Sequence, residues 1–184
     1  LGADVIKVEN PEDPDQARNT GADHDLNRKN MGTGFLATGS NKRSLTVNLK
    51  TKEGQKILQD LAKEADVFVE NYRSGALAAL GLGYEDIKKI NPGIIYCSLT
   101  AWGQDGPRGQ QTAYDQVIQG YAGVMSVTGN PDTGPLRCGP QLIDFGTGTT
   151  AAFAIASALF NRERTGEGQH IDGCLTDTAC IFMG

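Results

Sequence analysis

One carboxylate in the sequence is placed where covalent chemistry could occur. Asp144 stands directly before a long apolar segment, for which we predict a helix over 147–162, and Gly146 and Gly148 follow it. The positive end of a helix favours an ionised carboxylate, so we expect a low pKa for Asp144. Because glycine lets a ligand approach the backbone closely, the pattern suits a carboxylate nucleophile, with nearby amides available for an oxyanion. An ordinary helix N-cap is the alternative interpretation.

Two groups of basic and polar residues could contact a phosphorylated ligand. Lys42 and Arg43 lie at the start of a predicted strand, where they are either phosphate contacts or solvated charges. Residues 70–73, Glu-Asn-Tyr-Arg, come at the end of the predicted strand 66–70. Ligands of parallel sheets bind beyond this end of a strand, so the segment is a candidate binding turn. A plain turn is the alternative.

A tyrosine and an aspartate, Tyr114 and Asp115, lie near the start of a predicted helix over 113–124. The simplest interpretation makes Asp115 a partner of the dipole of its own helix and Tyr114 a packing residue, with a catalytic role as the alternative. Common catalytic signatures are missing from the sequence. It contains no phosphate-binding P-loop, no G-x-S-x-G nucleophile elbow and no H-E-x-x-H pair.

Composition excludes several classes of protein. The 184 residues are 39% hydrophobic and carry a net charge of −5, which argues against a disordered chain and against a nucleic-acid partner. The most apolar stretch, 151–160, is shorter than a membrane span, so we expect no membrane interaction. The four cysteines include no C-x-x-C pair and there are only two histidines. We therefore expect no metal site and the reduced thiols of a cytoplasmic protein.

The order of the predicted elements indicates an α/β fold with a parallel sheet flanked by helices. Strands are predicted over residues 4–9, 44–49, 66–70, 93–99 and 170–175. Helices are predicted over residues 51–62, 76–80, 84–90, 113–124 and 147–162, and from 177 onward. Loops are predicted over residues 10–40, 103–111 and 126–141.

Seven segments in this order resemble the family III CoA-transferases, the CaiB/BaiF group, which includes formyl-CoA transferase and L-carnitine dehydratase-like proteins. They are LGADVIKVE (1–9), NKRSLTVNLK (41–50), ADVFVENYRSGAL (65–77), GLGYEDIKKINPGIIYCSLTAWGQDGP (81–107), YDQVIQGYAGVMSVTG (114–129), GPQLIDFGTG (139–148) and RTGEGQHID (164–172). The resemblance implies a Rossmann-like large domain of an interlocked homodimer. Because members of the family are much longer, we expect residues 1–184 to be part of that domain, truncated at both ends.

The resemblance also implies a reaction. Asp144 becomes the nucleophile, which attacks an acyl-CoA thioester to form an aspartyl mixed anhydride and release CoA thiolate. An acceptor carboxylate then forms a new mixed anhydride, and the returning thiolate makes the product thioester. Coenzyme A is thus carried by a substrate, and no permanently bound cofactor is implied. Tyr114 matches an active-site tyrosine of the transferase.

Residues for CoA binding follow from the same resemblance. It implies CoA contacts at Val47, Asn71 and Tyr72. Where formyl-CoA transferase has basic residues for CoA, this sequence has other residue types at three positions: Asn10, Ala79 and Thr112. The candidate substitutes for the missing cations are Lys42, Arg43 and Arg73.

Two alternatives stay open at the level of the sequence. A 2-methylacyl-CoA racemase or epimerase of the same family is one, although such enzymes have His-Asp where this chain has Tyr114-Asp115. A racemase needs a second acid/base group beside its aspartate, which the missing histidine would have supplied. The other alternative is a CoA-binding protein without catalysis.

Overall fold

The computed structural model describes residues 2–184, and the chain divides into two compact units. The first unit extends to Leu58 and the second begins at Gln59. Helix α3 (Lys52–Glu64) contains this boundary. Both units contain parallel strands accompanied by helices, so the predicted α/β class is confirmed.

The first unit is built on two parallel strands, β1 (Val5–Glu9) and β2 (Lys42–Thr46), which pair in register from Val5 with Lys42 to Glu9 with Thr46. The segment between them, predicted as a loop over 10–40, contains three short helical elements, so that prediction is wrong in part. They are a 3₁₀ turn (Gln16–Asn19), α1 (His24–Arg28) and α2 (Thr33–Gly39). Local aspartates explain the first two, because Asp15 and Asp23 accept hydrogen bonds from the amides that begin each one.

A buried ion pair fixes the end of β1. Glu9 is only 6% exposed, and its carboxylate accepts two hydrogen bonds from the Arg18 guanidinium, at 2.8 and 2.6 Å. The same guanidinium lies over the ring of Phe35 in α2, at 3.8 Å from the ring centre. The Arg18 hydrogen bonds hold the pKa of Glu9 below its usual value, so this carboxylate stays ionised inside the unit.

The second unit is a three-stranded parallel sheet with β4 in the centre. The strands are β3 (Val67–Glu70), β4 (Ile95–Thr100) and β5 (Gln169–Cys174), in the order β3-β4-β5. The helices are α4 (Tyr84–Ile90), α5 (Asp115–Tyr121), α6 (Val124–Thr128), α7 (Leu142–Thr165) and α8 (Leu175–Met183), with a 3₁₀ turn at Ala78–Leu80. The run Ile94 to Cys97 is almost fully buried, as expected for the central strand of a covered sheet.

Several predicted boundaries are corrected by the structure. The β2 strand begins at Lys42 rather than at residue 44 and ends at Thr46 rather than at residue 49. The α6 helix lies partly inside the segment 126–141 that was predicted as a loop. The last helix begins at Leu175, two positions before the predicted start at residue 177, and Cys174 is its N-cap.

Helix α7 has 24 residues and is much longer than the predicted helix 147–162. One side of it packs against β4, β5, α5 and α8 of the second unit. It also has the length and composition of a membrane-crossing helix, which the apolar run 151–160 alone did not suggest. Three phenylalanines on its other side are exposed: Phe145, Phe153 and Phe160. At its far end Gly166 adopts a left-handed conformation with φ 74°, which terminates the helix.

Candidate active site

The start of α7 is capped by a residue from another helix. Its own N-cap residue, Gln141, makes no side-chain capping hydrogen bond. Instead the Asp115 carboxylate, at the start of α5, accepts the backbone N–H of Ile143 at 2.7 Å and that of Asp144 at 3.0 Å. Asp115 is 2% exposed, so this cap is a buried carboxylate held at a helix N-terminus.

A buried glutamine extends this cap to the preceding loop. The side-chain amide of Gln119, one helical turn after Asp115, donates to the second oxygen of the Asp115 carboxylate. The Gln119 carbonyl oxygen accepts the backbone N–H of Cys138 at 2.8 Å. Asp115 and Gln119 therefore connect α5 to the loop that leads into α7 and to the first turn of α7 itself.

Asp144 lies inside the first turn of α7, two residues after Leu142, and not before the helix as predicted. Its side chain is exposed, and no hydrogen bond to its carboxylate is present within residues 2–184. Desolvation, and after it the neighbouring charge of Asp115, raise the pKa of Asp144. The predicted low pKa is therefore wrong. The physical reason is that Asp115, rather than Asp144, takes the two amides of the helix N-terminus.

The two glycines that follow Asp144, Gly146 and Gly148, have different surroundings. A Cβ atom at Gly146 would lie 2.6 Å from the ring of Phe182 in α8, so a larger residue here would require that ring to shift. That finding corrects the interpretation of Gly146 as space for a ligand. Gly148 is exposed, and a Cβ there would meet nothing within 4 Å. Of these two glycines, Gly148 is therefore the one with open space beside it.

Tyr114 is the N-cap residue of α5 and is 71% exposed, so the prediction that it packs against a neighbour is wrong. The expectation for Asp115 is also corrected. It does lie in the first turn of α5, but its carboxylate hydrogen-bonds to the amides of α7 rather than to those of its own helix. An exposed phenol thus precedes, by one residue, the carboxylate that holds the amide of Asp144.

The turn after β3 presents three exposed side chains, those of Asn71, Tyr72 and Arg73. The turn is anchored from within, because the Glu70 carboxylate accepts the N–H of Tyr72 at 2.7 Å. Burial is the main cause of a raised pKa at Glu70. The arrangement leaves an amide, a phenol and a guanidinium accessible at the carboxyl end of a parallel strand, where ligands of such sheets bind.

The candidate residues of the first unit are in different states. Arg43 lies within β2 and donates two hydrogen bonds to Asp4, at 2.9 and 2.6 Å, although both side chains remain exposed. Lys42 is exposed at the first position of the same strand. Val47 is only 6% exposed, and its N–H donates to the Glu9 carbonyl at 2.9 Å. Of these three residues, Lys42 is the accessible cation without an ion pair in the described part of the chain.

Other chemistry-bearing groups do not assemble into a metal centre. Within residues 2–184 there is no group of three His, Cys, Asp or Glu side chains that could hold a metal ion. The four cysteines are free thiols, and burial raises the pKa of Cys97 and of Cys174 to about 11. The Ser98 hydroxyl lies 2.9 Å from Nε2 of His170 on the sheet. Ser98 is 2% exposed, so it is not accessible as a nucleophile.

Sequence reasoning missed the Asp115–Gln119 pair as part of the site. Asp115 is 28 and 29 residues away from Ile143 and Asp144, whose amides it binds, so no local pattern indicates this contact. One signal was available in retrospect. Asp115 and Gln119 are spaced i, i+4 and therefore share one face of α5 with Ile118, and all three side chains are buried.

Fold and site together define a class of protein: an α/β chain with parallel strands, exposed polar side chains after a strand, and a free carboxylate at the start of its longest helix. Comparison with known proteins identifies the group within that class. The chain belongs to CoA-transferase family III, whose family model matches residues 1–184.

Individual relatives agree with this assignment. The chain is 43% identical to the succinate–glutarate CoA-transferase of Agrobacterium fabrum, over 100% of this chain and 46% of that protein. It is 44% identical to the human succinyl-CoA:glutarate CoA-transferase, over 98% of this chain and 41% of that protein. A crystal structure of a CAIB/BAIF family protein from Brucella suis superimposes with a TM-score of 0.91 at 41% identity, covering 100% of this chain and 49% of that one. The chain thus spans less than half the length of these relatives.

Proposed function

We propose that the protein containing this chain is an acyl-CoA:carboxylate CoA-transferase with Asp144 as its covalent nucleophile. One observation carries the proposal. The Asp144 carboxylate is exposed and has no hydrogen-bond partner within residues 2–184, while Asp115 holds the adjacent amides. A carboxylate without an internal partner is available to attack a thioester. The names of the relatives, which are CoA-transferases, support the reaction class.

The proposed reaction moves CoA between two carboxylic acids in balanced steps. An Asp144 oxygen attacks the carbonyl carbon of the acyl-CoA, and the carbon–sulfur bond breaks to release CoA thiolate and leave a mixed anhydride. The acceptor carboxylate then attacks the Asp144 side-chain carbonyl and expels the donor acid as its carboxylate. Finally the thiolate attacks the acceptor carbonyl of the new anhydride, which gives the product thioester and frees Asp144.

The environment of Asp144 suits this exchange. Desolvation and the Asp115 charge raise the pKa of Asp144, and a more basic carboxylate is a stronger nucleophile towards a thioester. The exposed phenol of Tyr114 is proposed to contact the reacting groups, as the family resemblance implies. The open surface at Gly148 leaves room for the acyl group beside the helix.

Binding of CoA is proposed at the turn after β3 and at β2. The exposed ring of Tyr72 offers a stacking surface for a base, Asn71 offers hydrogen bonds, and Arg73 offers a cation for phosphate. Additional contacts are proposed at three residues of the first unit: Lys42, Arg43 and Val47. Because Arg43 already pairs with Asp4, its use for phosphate would require that exposed pair to open, at small energetic cost.

The remaining parts of the proposal have support from sequence and relatives alone. The acceptor is proposed to be a small dicarboxylic acid, since the relatives' names include glutarate and oxalate. We also propose that residues 1–184 form part of a larger CoA-transferase domain, that the full protein is a homodimer, and that it is cytoplasmic, without nucleic-acid or membrane partners.

Trapping with hydroxylamine tests the nucleophile. The full-length protein is incubated with acyl-CoA and hydroxylamine and digested with trypsin, and the peptide masses are measured by mass spectrometry. Cleavage after Arg137 and Arg162 gives the peptide 138–162, in which Asp144 is the only carboxylate side chain. We expect a hydroxamate in this peptide that requires acyl-CoA. A hydroxamate only in another peptide would refute the assignment.

Exchange assays separate the two alternatives. Incorporation of solvent deuterium at the α-carbon of a 2-methylacyl-CoA, without an acceptor acid, would indicate a racemase or epimerase. Calorimetric binding of CoA without any exchange between labelled acyl-CoA and a panel of dicarboxylic acids would indicate a non-catalytic CoA-binding protein. With the label in the CoA moiety of the acyl-CoA, the proposed transferase predicts that the label appears in the thioester of the acceptor acid.

A further inference from the structure

The carboxylate of Asp115 is buried without a cation. It is 2% exposed, and no lysine or arginine forms an ion pair with it within residues 2–184. Its partners are N–H donors, namely the backbone amides of Ile143 and Asp144 and the side chain of Gln119. Burying an unpaired charge is costly, and hydrogen bonds from amides offset only part of that cost. Uncharged asparagine and serine are about as common as aspartate at helix N-caps, so the charge at this position needs a local reason.

The hydrogen-bond network accepts only a carboxylate at this position. The Cys138 N–H donates to the carbonyl oxygen of Gln119, and this contact turns the amide nitrogen of Gln119 towards Asp115. Both oxygens of Asp115 are therefore faced by donors. An asparagine would place its own N–H₂ group against another donor, which costs a hydrogen bond inside a buried site.

The cap also affects what Asp144 can do. An acidic residue in the first turn of a helix ordinarily uses its carboxylate to interact with the free amides there. At α7 the amides of Ile143 and Asp144 are already bound to Asp115. These two amides are consequently not available as hydrogen-bond donors to the Asp144 carboxylate, and the Asp144 side chain remains exposed to solvent.

We propose that Asp115 is a positioning residue for Asp144: from α5 it fixes the first turn of α7, so that the Asp144 carboxylate points away from the helix and towards an incoming thioester. Gln119 assists by holding the loop at Cys138 in place. The inference rests on the proposed function of Asp144, because positioning matters only if that carboxylate reacts.

The test compares three variants of the full-length enzyme: Asp115→Asn, Gln119→Met and, as a matched control, Asp86→Asn. Asp86 lies in the first turn of α4 and pairs with Lys89 on the surface. For Asp115→Asn we expect kcat to fall about 10- to 100-fold with little change in KM for acyl-CoA, since misplacement of a reacting group has costs of this size. The rate of hydroxamate formation at Asp144 should fall by the same factor. The control should match the wild type in both.

Each other result has a defined meaning. A lower melting temperature with unchanged kcat would make Asp115 merely structural and overturn the inference. A raised KM with unchanged kcat would assign it to substrate binding and overturn it as well. Gln119→Met keeps the carboxylate and removes one donor, so it remains informative if Asp115→Asn does not fold. Here we expect a loss in kcat of about 3- to 10-fold, and a wild-type kcat would contradict the inference.

The failure of this inference is distinguishable from failure of the proposed function. If Asp144→Asn is inactive while Asp115→Asn keeps the wild-type kcat, Asp144 remains the nucleophile and only its positioning by Asp115 is refuted. If Asp144→Asn is fully active, the proposed function fails and the inference fails with it.

Discussion

Two buried carboxylates, one in each unit, use their charge in different ways. Glu9 in the first unit is 6% exposed, and its charge is neutralised by a bidentate ion pair with Arg18. Asp115 in the second unit is 2% exposed and is bound only by amide groups. The two environments shift pKa values in opposite directions. Arg18 lowers the pKa of Glu9 itself, whereas the charge of Asp115, which no cation neutralises, helps to raise the pKa of the neighbouring Asp144.

The difference teaches how a carboxylate becomes structural or functional. An ion pair confines a buried charge, so that its main effect is on the stability of the unit that contains it. A carboxylate that is hydrogen-bonded only by amides is not neutralised, so its negative charge shifts the pKa of a neighbouring ionisable group. Exposure of Asp144 and burial of Asp115 are the two halves of this arrangement.

The largest expected effect is the loss of activity in Asp144→Asn. The amide has the same shape but is no nucleophile, so kcat/KM should fall at least about 10³-fold. The measurement is transfer of CoA to a dicarboxylic acid from an acyl-CoA labelled in its CoA moiety, by the full-length protein. Asp86→Asn is the matched control and should retain full activity. Near-normal transfer by Asp144→Asn would place the reactive carboxylate elsewhere.

The next effect concerns stability in the first unit. Replacement of Arg18 by Met leaves the buried Glu9 carboxylate without a cation, and we expect a loss of about 2–3 kcal/mol in the free energy of unfolding. The exposed pair of Arg43 with Asp4 provides the control, because Arg43→Met should cost less than about 1 kcal/mol. Urea unfolding of both variants measures the difference. Equal losses would contradict the view that burial makes the Glu9 pair important.

A third prediction is a shift of the pH–rate profile. The proposed reaction requires ionised Asp144, so activity should fall at acidic pH as this group is protonated. The Asp115 charge raises the pKa of Asp144, and its removal in Asp115→Asn should lower that pKa. The acidic limb of kcat/KM should therefore move to lower pH than in the wild type, even though the maximum is reduced. A limb that stays in place would show that the Asp115 charge does not act on Asp144.

The smallest effect is a pair of stability changes of opposite sign. A lowered pKa means that ionised Glu9 stabilises the fold at neutral pH, and this contribution is lost as pH falls through the folded-state pKa, below 4.5. A raised pKa means that ionised Asp144 costs stability at neutral pH, and the cost disappears as pH falls through its folded-state pKa towards 3.8.

At neutral pH we therefore expect Glu9→Gln to destabilise the protein by about 1–2 kcal/mol and Asp144→Asn to stabilise it slightly. Thermal unfolding across a pH series is the appropriate measurement. Both differences should shrink in acid. The same sign for the two variants would refute the contrast between the carboxylates.

Much of the fold was predictable from local patterns. The β-branched runs near Val67 and Ile95 predicted β3 and β4, and α4 (Tyr84–Ile90) has the predicted bounds. Wrong boundaries arose where the deciding contact was small and local. Asp15 and Asp23 begin short helical elements inside a polar segment that its glycines and prolines made look like a loop.

The site was predictable only in part. Its central candidate, Asp144, came from a resemblance covering most of the chain, because the pattern alone favoured an ordinary helix N-cap. The sign of its pKa shift depends on Asp115, whose contact with α7 joins positions 28 and 29 residues apart. Sequence spacing carries no information on such a contact, and the prediction from the helix dipole alone was wrong for that reason.

Transfer of an oxygen isotope tests the central claim most directly. The full-length protein reacts for a single turnover with acyl-CoA and an acceptor acid labelled with ¹⁸O in its carboxylates. The mass of the tryptic peptide 138–162 is then measured by mass spectrometry. The account predicts one acceptor oxygen in this peptide, at Asp144, and none in the peptide 109–137 that contains Asp115. Complete CoA transfer with no label in 138–162 would contradict a covalent role for Asp144.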